Sequence, residues 1–167
     1  MVDFNFNLTE REKGWLEGII DGEGYLAFLL NKNKKSKNGY VWVIYLSVTN
    51  TNLKICEKVL QIFSHEGYKG GNITNKNMKN PKHKKAYCFM SRQFALEKIL
   101  SQIKLVSKER QRELVLKGLE MLKEFRNGEH WMARDGNGRP KEIENEMLKM
   151  YEEMKILNKR GRRPTFS

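Results

Sequence analysis

Residues 15–25 read Trp15-Leu16-Glu17-Gly18-Ile19-Ile20-Asp21-Gly22-Glu23-Gly24-Tyr25, and this stretch decides the fold. It begins as a helix, because Thr9 and Glu12 form a capping-box pattern and apolar residues then recur at helical spacing. It ends at the two glycines that flank Glu23, since glycine accepts the left-handed conformation in which many helices end. A carboxylate near the negative end of a helix dipole is disfavoured. We therefore interpret Glu23 as a candidate metal ligand.

Gly14 and Gly18 lie four residues apart in the same helix, so one stripe of its surface carries almost no side chains. Each glycine in a helix interior costs about 1 kcal/mol relative to alanine. The stripe therefore predicts that another backbone approaches this helix very closely.

The stretch closely resembles the LAGLIDADG motif of homing endonucleases. In register, Leu16 to Gly24 reads L-E-G-I-I-D-G-E-G, and both glycines, both acids and the aliphatic pair match the motif. Glu17 is the departure, because the family usually has a small residue there. The alternative interpretation is an amphipathic helix that ends in a glycine-rich turn.

The bulk composition favours a nucleic-acid partner. The net charge is +12 over 167 residues, which indicates a polyanion, and no helical pattern is basic on one face and broadly apolar on the other, as a membrane surface would require. No apolar run reaches transmembrane length, and no signal peptide opens the chain. Cys56 and Cys88 are far apart, which is typical of an intracellular, reducing compartment: a prokaryotic cytoplasm or an organelle.

Downstream of the motif, helical and strand periodicities alternate. The order is αββαββα, the plan of the LAGLIDADG fold, which the resemblance implies to be α+β with an antiparallel four-stranded, saddle-forming sheet and extra C-terminal helices. We divide the chain into a core domain, 1–126, and a helical extension with a basic tail, 127–167, packed on the same domain. The predicted helices are about 9–22, 52–64 (capped by Thr51), 93–103, 108–125 (capped by Ser107) and 141–157, and the strands are about 26–31, 40–49, 72–77 and 85–92.

Alternation along the strands predicts one sheet face that contacts DNA. A strand rises about 3.3 Å per residue, so a hairpin arm about 30 Å long could follow roughly eight or nine base pairs in a major groove. The alternative is an ordinary solvent-facing surface, although apolar members such as Leu29 and Val43 fit a covered face better. The predicted DNA-facing residues are Ala27, Leu29, Asn31, Asn33, Val41, Val43, Tyr45, Ser47, Asn72, Thr74 and Lys76, with Lys35 in the basic loop, Arg110 and the tail residue Arg162 as further contacts.

The single motif copy supplies one catalytic acid, whereas a double-strand cut needs two sites. The resemblance implies a homodimer in which the two glycine-striped helices pack at the two-fold axis through Gly14, Gly18 and Asp21. It also implies Mg²⁺ as the cofactor, held by Glu23 and the carbonyl of Gly22, with the Gly24 carbonyl as an alternative. Mn²⁺ and Ca²⁺ are expected to fit the same site.

Two further catalytic positions follow from the resemblance. Asn50 falls where the family often carries a residue that positions water, and its alternative role is a turn or a helix cap. Lys108 falls where the family often carries a lysine near the scissile phosphate, with Arg110 and Arg112 as nearby alternatives. Phosphate binding without catalysis is the other interpretation of these basic residues.

The resemblance implies a site-specific homing endonuclease. As a homodimer it would bind a long pseudo-palindromic double-stranded DNA target through its sheets, make a metal-dependent double-strand cut and promote mobility of its host intron. Two alternatives stay open: an RNA maturase that assists splicing of the host intron RNA, and a DNA-binding module without cleavage.

Overall fold

The computed structural model describes residues 6–32, 40–65, 67–76, 85–127 and 141–159. Within these residues, two units of a helix followed by a strand pair succeed one another, and helices complete the chain. The elements are α1 (Glu10–Glu23), β1 (Gly24–Lys32), β2 (Tyr40–Asn50), α2 (Leu53–Phe63), β3 (Gly71–Lys76), β4 (Ala86–Ser91), α3 (Gln93–Leu100), α4 (Glu109–Asn127) and α5 (Lys141–Leu157).

The N-terminal caps of α1 and α2 can be compared with those predicted from the sequence. The capping box of α1 is confirmed: Thr9 Oγ1 accepts a hydrogen bond from the Glu12 N–H at 3.3 Å, and the Glu12 carboxylate accepts one from the Thr9 N–H at 3.0 Å. The cap predicted for α2 is wrong by one residue. Asn52, not Thr51, precedes this helix, and its Oδ1 accepts from the Lys54 N–H at 3.1 Å.

The four strands form one antiparallel sheet in the order β1-β2-β4-β3. Each hairpin contributes an edge strand and a central strand, and the two hairpins join where Ser47–Asn50 of β2 pair with Tyr87–Met90 of β4. The predicted α+β class, with the order αββαββα and an antiparallel four-stranded sheet, is confirmed.

Strand alternation sends one set of side chains into a core beneath the helices. Phe28 and Trp42 stack there with their ring centroids 5.1 Å apart. Helix α4 crosses them closely at Gly118, where a Cβ would lie only 2.8 Å from atoms of both Phe28 and Ile44. Burying a side chain such as that of Phe28 stabilises the fold by about 1.5–3 kcal/mol. The buried sheet residues of this core are Leu26, Phe28, Trp42, Ile44, Leu46, Val48 and Phe89.

Helix α5 adds an outer layer to the same core through the buried side chains of Met147, Met150 and Met154. Just after this helix, Asn158 Nδ2 donates a hydrogen bond to the carbonyl oxygen of Leu26 at 2.9 Å. The bond ties the end of α5 to the start of the edge strand β1. None of the helices described here is long and apolar enough to cross a membrane.

Candidate active site

Glu23 lies at the junction where α1 runs directly into β1. The left-handed glycine expected beside it is absent, because Gly24 is extended at φ −76° and ψ 146°. Glycine is needed there for a different reason: a Cβ on Gly24 would lie 2.6 Å from the carbonyl oxygen of Ile20 and 2.8 Å from its Cα. The close turn places the exposed Glu23 side chain between the helix end and the sheet.

Asp21 fixes the start of α4 beside the end of α1. Its carboxylate accepts hydrogen bonds from the N–H groups of Val106, Ser107 and Lys108, at 2.7, 3.1 and 3.1 Å, and from the Ser107 hydroxyl at 2.9 Å. Burial raises the pKa of Asp21, but these hydrogen bonds outweigh it and hold the pKa below its usual value. Ser107 therefore donates to Asp21, and its predicted role as the cap of α4 is wrong.

Lys108 closes the same junction from the opposite side. Its ammonium donates to the carbonyl oxygens of Ile20, Asp21 and Gly24 at 2.8, 2.7 and 2.8 Å. Burial lowers the pKa of Lys108, while the charges of Asp21 and Glu23 act in the opposite direction. All three donors of the ammonium are engaged, and its charge lies at the negative end of the α1 dipole.

Glu17, the departure from the motif, is accommodated by the same loop. Its Oε1 accepts a hydrogen bond from the Lys104 N–H at 3.0 Å. By contrast, Gly14, Gly18 and Gly22 are exposed, and a Cβ at any of them would meet no atom of the described chain within 4 Å. Glu17 and Asp21 therefore face the loop before α4, and the glycine stripe meets no other part of the described chain.

The junction opens onto a cleft of about 780 Å³ that extends over the outer face of the sheet. Its walls come from the end of α1, all four strands, α4 and the segment that follows α5. The lining residues are Gly22, Glu23, Gly24, Tyr25, Tyr45, Ser47, Thr49, Lys76, Cys88, Met90, Lys108, Gln111, Leu157, Asn158 and Lys159.

Solved structures of homing endonucleases share this architecture. The archaeal intron-encoded enzyme I-Vdi141I, solved with DNA, matches with a TM-score of 0.68 and 19% identity over 93% of this chain and 89% of its own. I-CvuI, also solved with DNA, matches at 0.65 and 18% identity over 92% and 86% of the two chains.

The chain has the LAGLIDADG homing endonuclease fold. The group I intron-encoded enzyme I-CeuI, in complex with DNA, is a further match, at a TM-score of 0.64 and 19% identity over 89% of this chain and 68% of its own. The match to I-SmaMI, at a TM-score of 0.60 and 16% identity, covers 93% of this chain and 47% of the I-SmaMI chain, which is longer. No family model and no curated protein sequence matches the chain.

In this LAGLIDADG fold, the face away from the helices carries the predicted DNA-facing residues. The strand registers place residues of this face opposite one another, as in the pairs Ala27 with Tyr45 and Thr74 with Cys88, although Ala27 and Cys88 are themselves buried. The predicted residues Asn33, Lys35 and Arg162 lie outside the described residues. The other predicted strand residues, whose contact with DNA stays a prediction, share this face: Ala27, Leu29, Asn31, Val41, Val43, Tyr45, Ser47, Asn72, Thr74 and Lys76.

Four outward residues were missed by the sequence prediction. Tyr25 and Met90 are 42% and 40% exposed and flank Ser47 in one cross-strand row, while Thr49 and Cys88 pair in the next. The alternation of inward and outward residues, extended by one step in β1 and β2 and applied to β4, would have identified these four residues.

Asn50 is not brought to the cleft. It continues the inward-facing set of β2, and its Oδ1 accepts a hydrogen bond from the Asn52 N–H at 2.8 Å. The neighbouring Thr49 lines the cleft instead. The structure thus gives Asn50 the turn role that was the alternative in the sequence.

Arg110 and Arg112 are engaged elsewhere on α4. Arg110 forms ion pairs with Glu153 at 2.6 Å and Glu113 at 3.0 Å, and the hydrogen bonds to these two carboxylates raise its pKa. Arg112 Nε donates to the carbonyl oxygen of Ile103 at 2.7 Å. Neither arginine lines the cleft, whereas Lys108, the residue just before α4, lines it together with Glu23.

The cleft offers oxygen ligands for a hard cation. Among the described residues, no cluster of three or more His, Cys, Asp or Glu side chains is present. Glu23 and Gly22 nevertheless line the same cleft, while the Gly24 carbonyl is engaged by Lys108. One or two carboxylates suffice for Mg²⁺ when phosphate and water supply the other ligands. The residues therefore fit part of a Mg²⁺ site.

Proposed function

We propose that this chain is a site-specific, metal-dependent endodeoxyribonuclease that cuts double-stranded DNA as a homodimer. The observation that carries the proposal is the position of Glu23, which reaches the cleft at the edge of a long sheet face. Homing endonucleases with the same fold, I-Vdi141I and I-CeuI, were solved with DNA. Lys76, Lys108 and Lys159 line the cleft around Glu23, which favours a polyanionic substrate.

The open glycine stripe supports the homodimer. Gly14, Gly18 and Gly22 follow one another at intervals of four residues and have free space above them. A two-fold axis along this stripe would bring two α1 helices together and duplicate Glu23 at their ends. I-SmaMI, in which this unit covers 47% of a longer chain, is consistent with an assembly of two units.

Glu23 and the Gly22 carbonyl would hold Mg²⁺, or Mn²⁺ or Ca²⁺ in its place. When bound, such an ion lowers the pKa of water and stabilises charge on the phosphate and the leaving oxygen. The chain's own contribution is placement. Asp21 and Lys108 join the end of α1 to the start of α4, and Glu23 at that helix end would thereby be presented to the DNA.

Intron mobility is the biological role that we propose for the cut. Two of the matched enzymes, I-Vdi141I and I-CeuI, are intron-encoded. A reading frame inside an intron would place the target at the joined flanking exons.

The test uses a plasmid that carries the joined exon sequence and compares wild type, Glu23→Gln and Glu57→Gln. Glu57 is an exposed glutamate on α2 and serves as the matched control. Wild type and Glu57→Gln should linearise the plasmid only when Mg²⁺ is present, whereas Glu23→Gln should bind the site without cutting it. Cutting by Glu23→Gln at the wild-type rate would refute the assignment, and binding without cutting by wild type would leave a DNA-binding module.

A further inference from the structure

Gln111 is a mostly buried polar residue on the wall of the cleft. Its residue exposure is 8%, and it lies on α4 three positions after Lys108, so both side chains are on one side of the helix. Both line the cleft that contains Glu23. The sequence prediction did not single it out, because a glutamine inside a charged helix looks like an ordinary surface residue.

The amide of Gln111 has no protein partner in the part of the chain that the structure describes. Its helix neighbours do: Arg110 donates to Glu153 and Glu113, and Arg112 donates to the Ile103 carbonyl. The Gln111 amide is also not among the polar atoms that are sealed from solvent, unlike Trp42 Nε1. Because this amide is open to solvent and has no such partner, it is available to bind water or a ligand in the cleft.

Of Lys108 and Gln111, which both line the cleft, Gln111 alone keeps its hydrogen-bonding capacity. The three donors of Lys108 are committed to backbone carbonyls, and an ammonium accepts no hydrogen bond. A glutamine amide both donates through Nε2 and accepts through Oε1. It can therefore contact a water molecule and a phosphate oxygen at once.

The position of Gln111 relative to Glu23 is fixed by the surrounding contacts. Asp21 binds the N–H groups of residues 106–108, and Lys108 binds the end of α1. These bonds join the segment just before α4 to the helix end that carries Glu23. Gln111 follows in the first turn of α4, three residues after Lys108.

We propose that Gln111 positions the water that attacks the scissile phosphate, with Oε1 accepting from the water and Nε2 donating to a phosphate oxygen. The inference rests on the proposed nuclease function. In the reaction, the water oxygen bonds to phosphorus as the bond from phosphorus to the leaving sugar oxygen breaks. The water gives up a proton to solvent, and the leaving oxygen takes one from solvent. Gln111 thus takes the role that the sequence assigned to Asn50.

The test compares Gln111→Met, which has a similar length but no hydrogen-bonding group, with Gln111→Glu, which keeps an acceptor. Gln61→Met, an exposed glutamine on α2, is the control. Single-turnover cutting with Mg²⁺ should fall about 100-fold in Gln111→Met, the size typical of losing one positioned hydrogen-bonding group. The thermal midpoint and the DNA affinity without divalent metal should match wild type.

Gln111→Glu should recover part of the rate and make cutting rise with pH as the new carboxyl ionises, a response that a structural role would not produce. If Gln111→Met fails to fold, this pH profile carries the test alone. If wild type and Gln111→Met both cut the target at the same rate, the role of Gln111 alone would be overturned. A wild type that binds the target without cutting would overturn the nuclease function and this role together.

Discussion

The two sides of helix α1 differ in how their backbone and side chains are used. On one side, Glu17 and Asp21 accept hydrogen bonds from residues 104 and 106–108. On the other side, Gly14 and Gly18 leave the backbone bare, with no neighbour of the described chain within 4 Å of a Cβ position. One side of α1 therefore completes the fold of its own chain, and the other is the bare surface on which we propose that a second copy packs.

We expect the largest loss of stability from Lys108→Met, on the side of α1 that carries Glu17 and Asp21. This change leaves the carbonyls of Ile20, Asp21 and Gly24 without their donor. Because hydrogen bonds to a charged group contribute about 1.5–3 kcal/mol each and are not additive, we expect unfolding to become easier by about 3 kcal/mol. Chemical denaturation measures the loss, and Lys108→Arg should recover part of it. An unchanged unfolding midpoint would show that Lys108 does not hold the junction.

Asp21→Asn should destabilise the chain by about 2 kcal/mol, because the amide keeps one acceptor but loses the charge that strengthens several hydrogen bonds. The pKa of Asp21 is lowered in the folded state. Its contribution is therefore present above the pKa of the unfolded carboxyl, about 3.9, and is lost as the pH falls through the lower folded value. Denaturation between pH 7 and pH 2 should show a smaller acid-dependent loss in Asp21→Asn. Glu17→Gln, which affects one hydrogen bond, is the control.

The smallest change in stability, a gain rather than a loss, is expected on the side of α1 that carries Gly14 and Gly18. A Cβ at Gly18 meets no atom of the described chain within 4 Å, so Gly18→Ala should add about 1 kcal/mol of helix stability to the dilute monomer. The same methyl group should separate two closely packed helices. Sedimentation should then shift from twice 19.7 kDa toward 19.7 kDa. Gly118→Ala is the contrast, because its Cβ would meet Phe28 and Ile44 and should lower stability without changing the mass. A Gly18→Ala chain that dimerises like wild type would contradict the stripe as the dimer surface.

Local patterns predicted the parts of the site that depend on nearby sequence. The capping box and the strand alternation depend on residues within a few positions of one another, and both are present. Glu23 and Lys108 were also placed together, but through the resemblance rather than through spacing. The direction of the Lys108 ammonium was not predictable, because its acceptors lie 84 to 88 residues earlier in the chain.

Asn50 and Gln111 show why the remaining roles escaped prediction. Asn50 matches a family position, yet its side chain closes a turn through the Asn52 N–H at 2.8 Å. Gln111 carries no sequence signal, and its burial arises only from tertiary packing around α4. A side chain's function here depends on which partners remain free after folding, and a sequence pattern does not record this.

By itself, the sequence determined the order of helices and strands, the two faces of the sheet and the acid at the end of α1. Periodicity and caps encode these features because they arise from interactions between residues close in the chain. Only the tertiary structure decided that Asp21 and Lys108 join the end of α1 to the start of α4. It also decided that Glu17 binds the Lys104 N–H and that Gly14 and Gly18 have no neighbour in the described chain. The reason is that a hydrogen bond has a partner only when packing brings distant segments within about 3 Å.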